Sequence, residues 1–305
     1  MDSIEKAVDC LVNTLPHLTV LHDEPMCKHT TLGIGGPVQA MVFPETESCM
    51  IQVFKALQEH DIRPFVMGKG SNLLVSDKHM NMVVINTTKL RNIELTDAVS
   101  IRADSGVMLS ELAVFAHKHE LTGLEFAHGI PGTLGGAVFM NAGAYGSEMK
   151  DVIYSTRAYN YKNGEYTLTE AQHEFSYRNS IFASTKDVVL SSIIQLKKGD
   201  TETIKDKMKK LAAKRCESQP LDRKSAGSTF KRPKEGYAAA LIEQAGLKGF
   251  SIGGAQVSSM HAGFVINAGN ATFDDFLAVM EHIQETVLKN SGIMLEPEVK
   301  VLVQQ

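Results

Sequence analysis

The chain has 305 residues, enough for about two or three domains with ample core, and its 43% hydrophobic to 22% charged balance excludes a disordered or fibrous chain. A formal net charge of −4 gives no global signal for nucleic acid or a membrane surface, and no run of about 18 apolar residues offers a transmembrane helix. The cysteines, Cys10, Cys27, Cys49 and Cys216, have neither metal-ligand spacing nor a disulfide pattern, which fits thiols in a reducing cytoplasm.

MDSIEKAVDCLVNTL opens the chain as a mixed-charge helix without the basic start and apolar core of a signal peptide. Thr46 caps a second helix, in which Met50, Val53, Phe54 and Leu57 recur at helical spacing. Residues 64–67, 82–86 and 99–103 read as strands, and Leu109, Leu112 and Ala116 as the inner face of a helix. Asn163-Gly164 predicts a hairpin within 159–168, and 188–196 a further strand. From Thr201 the chain is basic and helical, with Ile204, Met208, Leu211 and Ala212 on one face. A helix over 237–245 stops at Gly246, and Thr272 starts a long one with Phe276, Leu277, Met280, Ile283 and Val287 inward. MLEPEVKVLV closes the chain as a strand on which Glu296 and Glu298, two apart, share a face. The reading is an α+β chain with its main boundary near residue 200.

Three glycine loops stand out: GIGGP (33–37), GKGSN (68–72) and GIPGTLGGAVFMNAGAYG (129–146). None fits the Rossmann or P-loop spacing. Their bare N–H groups can still cradle an anion, with Ser71, Asn72 and Asn141 as short polar donors at the edge. Each loop alone reads as a turn; three in one half of the chain point to a ligand of dinucleotide size. Between Ser218 and Lys234 lie Arg223, Lys224, Lys231, Arg232 and Lys234 against Asp222 alone, which is solvated surface or a site for a phosphorylated or carboxylated substrate. Ser228 sits there in Ala-Gly-Ser-Thr-Phe, not in a nucleophile elbow. Arg178, in YRNS, is a surface arginine or a fork for a carboxylate, and His261 and Asn267 bracket an apolar strand, which reads as strand-end hydrogen bonding.

HTTLGIGGP, GKGSNLLVSD, GIPGTLGGAVFMNAGAYG, YRNSIF, AGSTFKRP and LEPEV follow one another in order from His29 to Val299. In this the chain resembles the UDP-N-acetylenolpyruvoylglucosamine reductases, and its brief 183–200 region and LIEQAGLKG helix resemble the shorter (type II) kind. The resemblance implies an FAD-binding region of the vanillyl-alcohol-oxidase (PCMH) type over 1–200. That region would be two subdomains split near residue 90 and joined by the C-terminal strand 295–305, beside a smaller α/β substrate-binding domain over 201–294. It implies FAD and NADPH as cofactors and a UDP-sugar enolpyruvyl ether as substrate, in cytoplasmic peptidoglycan precursor synthesis, with no nucleic-acid or membrane partner.

By the same resemblance FAD would lie on Gly33, Gly35, Gly68, Gly70, Ser71, Asn72, Gly129, Ile130, Pro131, Gly132, Gly135, Gly136, Asn141, Ala142, Gly143, Ala144 and Tyr145. Arg178 would neutralise an enolate, Ser228 would give it a proton, and Glu298, with Glu296 as runner-up, would set the geometry. Tyr177, Arg223, Phe230, Lys231, Arg232, Gln244 and His261 would contact substrate. Two other readings stand beside this one: another FAD-dependent oxidase or dehydrogenase on the same scaffold, and a flavin or nucleotide-sugar binder without chemistry.

Overall fold

The computed structural model describes residues 3–304; Met1 and Asp2 of the expected first helix and Gln305 of the expected last strand lie outside the described residues. The chain divides into two compact units. One comprises Met1–His22, Ala40–Lys69 and Met82–Lys214, the other Asp23–Gln39, Gly70–Asn81 and Arg215–Gln305. This grouping cuts the chain differently from a contiguous division at residue 200.

The first unit is built around a five-stranded antiparallel sheet in the order Gly164–Thr169, Ile153–Asn160, Val188–Gln195, Ser100–Asp104, Ile93–Leu95. The first hairpin pairs Asn160 with Gly164, so its loop is the three residues 161–163. Asn160 Oδ1 accepts the N–H groups of Lys162 and Asn163, and Gly164 takes φ +77°. Its core gathers Leu109, Leu112 and Ala116 from the helix Leu109–Lys118, with Leu134 and Val138 from Leu134–Met140. Ile204 and Met208 of the helix Thr201–Ser218 pack there too; Leu211 and Ala212 are only half-buried, because the helix carries a narrow apolar stripe. A second core lies around Glu47–Glu59, whose Met50, Val53, Phe54 and Leu57 are fully buried, each such side chain worth about 1.5–3 kcal/mol. Thr46 caps that helix by accepting from Cys49 N at 3.1 Å. Residues 65–67 pair in parallel with residues 84–86.

The second unit has a four-stranded antiparallel sheet, Lys224–Ser225, Val265–Asn267, Ala255–Val257, Ser251–Ile252, covered by the helix Phe273–Ser291. Thr272 and Asp275 close a capping box at its start, Asp77 Oδ2 accepts from Phe273 N at 2.6 Å, and Gly292 ends it at φ +72°. Phe276, Val279, Met280, Ile283 and Val287 form its buried face, with Leu277 at the margin. Asn267 does the strand-end bonding expected of it: Nδ2 donates to Leu32 O, and Oδ1 accepts from Gly269 and Ala271 N.

The closing segment departs from expectation. Regular pairing covers only Lys300–Leu302, parallel to Leu73–Val75. Pro297 has no N–H to give a ladder, and the segment before residue 300 makes a single bridge, Phe230 to Pro297. Glu296 and Glu298 therefore sit on an extended connector rather than within a paired strand.

Candidate functional site

In the first unit the glycine-rich stretch does two different things. Gly135 donates its N–H to Ser105 O at 2.8 Å, and a Cβ there would stand 2.8 Å from Ser105 Cβ, so packing alone requires glycine. One residue on, Gly136 is exposed, and a Cβ would meet nothing nearer than Thr133 Oγ1 at 3.8 Å. Under this turn the Ser105 hydroxyl is buried without a hydrogen-bond partner. Bare, uncovered main chain over an orphaned hydroxyl suits an anionic cofactor such as FAD. Gly68, against Thr133, and Gly143, against Ser147 O, are hemmed in by their own protein like Gly135. Ile130 and Gly132 form a short turn beside exposed Gly129 and Pro131, in which Gly132 N donates to Ile130 O at 2.9 Å.

Asn141 corrects the expectation of a phosphate donor at its side chain. It is fully buried at the left-handed end of Leu134–Met140, φ +43°. Nδ2 donates to Glu148 Oε2 at 2.6 Å and to Ser176 O at 3.0 Å, while Oδ1 accepts from Lys150 N at 2.9 Å. Both amide hydrogens are thus committed to protein. Ser176 is the root of a tight turn, 176–179, closed by reciprocal bonds with Asn179, and that turn carries Arg178 at φ +53°. The Arg178 guanidinium lies over the exposed ring of Tyr177 at 5.1 Å and donates to Gly143 O at 3.3 Å. Ala142 is tied back to Ala137 O at 2.8 Å, and Ala144 pairs with Ser147. Tyr145 is exposed, with Lys214 over its ring at 5.4 Å. Asn141 to Tyr145 and Arg178 therefore form one cluster.

In the second unit the organising residue is one that sequence reasoning missed. Thr229 is 2% exposed. Its N–H donates to Gly263 O at 2.9 Å, its Oγ1 accepts from Val265 N at 3.0 Å, and its carbonyl accepts from Glu298 N at 2.8 Å. Ser228, just before it, is exposed and follows Gly227 at φ +77° in open space. Ser228 and Glu298 thus sit on neighbouring segments fixed through one threonine. Asn72 joins them: Nδ2 donates to Glu298 O at 3.1 Å, and its carbonyl accepts from Lys300 N at 3.0 Å. Glu296 pairs with Lys231, whose N–H also donates to Glu296 O at 2.8 Å. Of the two carboxylates on LEPEV, the runner-up is engaged by the Lys231 ammonium.

Phe230 is a correction. Expected against substrate, its side chain is 3% exposed and packs in the core, because the bridge to Pro297 turns it inward. Arg223 is exposed beside Asp222. Arg232 lies 4.1 Å from the ring of Tyr237, itself 60% exposed, a stack that no sequence motif announces. Gln244 is exposed on Ala238–Gln244. His261 is half-buried, and burial holds its pKa below the ordinary imidazole value, opposed by a hydrogen bond to its own backbone, with smaller contributions from Lys248 downward and Glu243 upward. In the glycine loops, Gly35 faces Met26 and Val75 too closely for a Cβ, while Gly33 faces the flexible stem of Lys224. Gly70 takes φ +63°, its carbonyl accepting from Thr31 N at 3.3 Å beside half-buried Ser71.

Comparison with known proteins agrees across the whole length. Residues 219–302 match the family model described as UDP-N-acetylenolpyruvoylglucosamine reductase, C-terminal domain, and residues 38–169 match an FAD binding domain. Among curated relatives, a UDP-N-acetylenolpyruvoylglucosamine reductase of Caldanaerobacter subterraneus subsp. tengcongensis is 47% identical over 98% of both chains. One of Clostridioides difficile is 43% identical over 96% of both. The crystal structure of UDP-N-acetylenolpyruvylglucosamine reductase from Thermus caldophilus superposes with a TM-score of 0.80 at 30% identity, over 94% of this chain and 99% of that one. Alkyldihydroxyacetonephosphate synthase shares the fold over 63% of this chain and 40% of that one, with a TM-score of 0.50 at 16% identity. The fold class is the α+β, FAD-binding one expected from the sequence.

Proposed function

The chain belongs to the UDP-N-acetylenolpyruvoylglucosamine reductase family, and on that premise we propose how its side chains divide the reduction of a UDP-N-acetylglucosamine enolpyruvyl ether to UDP-N-acetylmuramate. It is an FAD-dependent oxidoreductase of the shorter kind, with NADPH as reductant, in peptidoglycan precursor synthesis. When bound, FAD supplies the hydride, taken from NADPH, that adds to the terminal carbon of the enolpyruvyl double bond. The electron pair of that bond then moves to the adjacent carbon and its carboxylate.

Arg178 answers this developing charge. Its guanidinium is a planar fork of donors, and its anchors on Tyr177 and Gly143 fix it before the charge appears. Ser228 Oγ gives its proton to the carbanionic carbon, a transfer a weak acid manages only against a far stronger base and away from water. Glu298, fixed relative to Ser228 through Thr229, holds the proton's path. Lys231, Arg232 and Arg223 meet the diphosphate, and Tyr177 and Gln244 line the substrate's surroundings. The FAD contacts are assigned to main chain of the loops, with Gly136 as the point of nearest approach. The observation that supports the assignment is Thr229, whose hydrogen bonds with Gly263, Val265 and Glu298 tie the segments of the proposed proton donor and carboxylate to one residue. No helix among the described residues is long and apolar enough to cross a membrane. The free cysteines suit a reducing compartment, and we place the reaction in the cytoplasm.

The test is the visible absorption spectrum under anaerobic conditions. The purified protein is expected to be yellow, to bleach on addition of NADPH, and to recover its colour when the enolpyruvyl sugar is added. A protein that bleaches and stays bleached with the sugar overturns this reading. The FAD assignment has its own check in two neighbouring substitutions. Gly135→Ala should cost about 1–3 kcal/mol of stability by overpacking Ser105. Gly136→Ala, in an exposed helical turn, should raise the melting temperature of the apoprotein slightly while weakening FAD in a titration. Unchanged FAD affinity in Gly136→Ala would remove that residue from the cofactor contacts.

A further inference from the structure

The turn that supports the Ser228 loop is itself built on a histidine. Ser258, buried, accepts at Oγ from Met260 N at 3.2 Å and from His261 N at 3.3 Å, and Phe264 N donates to His261 O at 3.0 Å. Across this turn Gly263 N donates to His261 Nδ1 at 3.1 Å. The imidazole packs on Gly263, where a Cβ would stand 3.0 Å from Cε1, and meets the Phe264 ring edge-on at 5.0 Å. Gly263 then accepts from Thr229 N through its carbonyl, 2.9 Å away, and the following Val265 N donates to Thr229 Oγ1. A continuous chain of bonds runs from the imidazole through Gly263 to the residue beside Ser228.

A main-chain N–H can only donate, so Nδ1 must present a lone pair, which fixes the ring as neutral with its proton on Nε2. We propose that His261 is a positioning residue: its neutral ring holds Gly263, and through Gly263 and Thr229 it holds Ser228 where its proton is delivered. This rests on the reading of Ser228 as proton donor. The resemblance implied a substrate contact for His261; the supporting role is a different one.

Protonation would put a hydrogen on Nδ1 and break the bond to Gly263. The charged groups around the ring are Glu243, on the helix Ala238–Gln244, and Lys248 just beyond it, which pair with each other at 2.7 Å; the Phe264 ring against it is apolar. Burial depresses the His261 pKa, a hydrogen bond to its own backbone opposes this, and the smaller effects of Lys248 and Glu243 run in opposite directions, leaving the value lowered. The bond is therefore complete above the ordinary imidazole pKa of about 6.5 and is lost as pH falls through the lower, folded-state value.

The test combines imidazole nitrogen NMR of the holoenzyme with pH profiles of its two half-reactions. Wild type should show an Nε2–H tautomer with bare Nδ1. Transfer to the enolpyruvyl sugar should weaken on the acid side in step with the titration of this ring, while flavin reduction by NADPH does not follow it. His261→Asn, whose Oδ1 can accept the same N–H two residues on but cannot titrate, should transfer faster than His261→Ala at neutral pH and lose that acid limb. His261→Ala should slow transfer to the sugar by about three- to tenfold at every pH, the worth of one hydrogen bond. An Nδ1–H tautomer, an unchanged acid limb in His261→Asn, or a wild-type rate in His261→Ala overturns the proposal. Failure of wild type itself to transfer to the sugar overturns the functional reading along with it, and the NMR tautomer tells the two failures apart.

Discussion

Ser228→Ala is expected to leave flavin reduction by NADPH at its wild-type rate and to slow reduction of the enolpyruvyl sugar by about 10²–10⁴-fold, the usual worth of a positioned general acid. The asymmetry is the informative part. NADPH oxidation needs no proton at the sugar carbon, whereas the second half-reaction leaves a carbanionic carbon that must be quenched. Ser228 is exposed, and the buried anchor of its loop is the neighbouring Thr229, so removing one hydroxyl leaves the backbone frame intact. Rapid-mixing absorbance with each substrate in turn measures the two rates separately. Normal turnover by Ser228→Ala would remove serine from the proton path.

Arg178→Ala should lower the same second half-reaction by about 10²–10³-fold, the cost of deleting one preorganised donor from a site of developing negative charge. Arg178→Lys should recover only part of this, since an ammonium keeps the charge but loses the planar stack on Tyr177. Asn141→Ala should act through Arg178, because its Nδ2 bond to Ser176 O roots the turn that carries the guanidinium. In the double variant the two losses should therefore fall well short of adding. Full additivity would show that Asn141 works independently of the arginine, and an undiminished second rate in Arg178→Ala would end its assignment to the enolate.

Much of the frame was legible because it is written in short windows. Thr46 and Thr272 cap where they were expected to, since a hydroxyl before a periodic apolar run is a local signal. The buried faces of the helices follow the same logic. The final strand was over-read: 294–303 was expected to be one strand, but Pro297 lacks the N–H a ladder needs. Thr229 and Asn141 were not legible in these roles. Their importance comes from partners 34 to 70 residues away in the case of Thr229, and 35 residues away for the bond of Asn141 to Ser176. Composition and spacing describe neighbours along the chain and carry no record of such pairs. Phe230 shows the converse error, because a motif that brackets a functional serine also contains residues whose work is packing.

The second unit is stitched from three pieces, with Asp23–Gln39 and Gly70–Asn81 completed only by Arg215–Gln305. On the ribosome the two early pieces must wait for the last ninety or so residues before most of their partners exist. The final parallel contact, Lys300–Leu302 against Leu73–Val75, can form only once the tail has emerged. Nascent chains stalled before that point would display Leu32, Ile34 and Leu74, all destined for the interior, to chaperones and proteases. Truncation before Lys300 should thus be a lesion of biogenesis before it is one of chemistry.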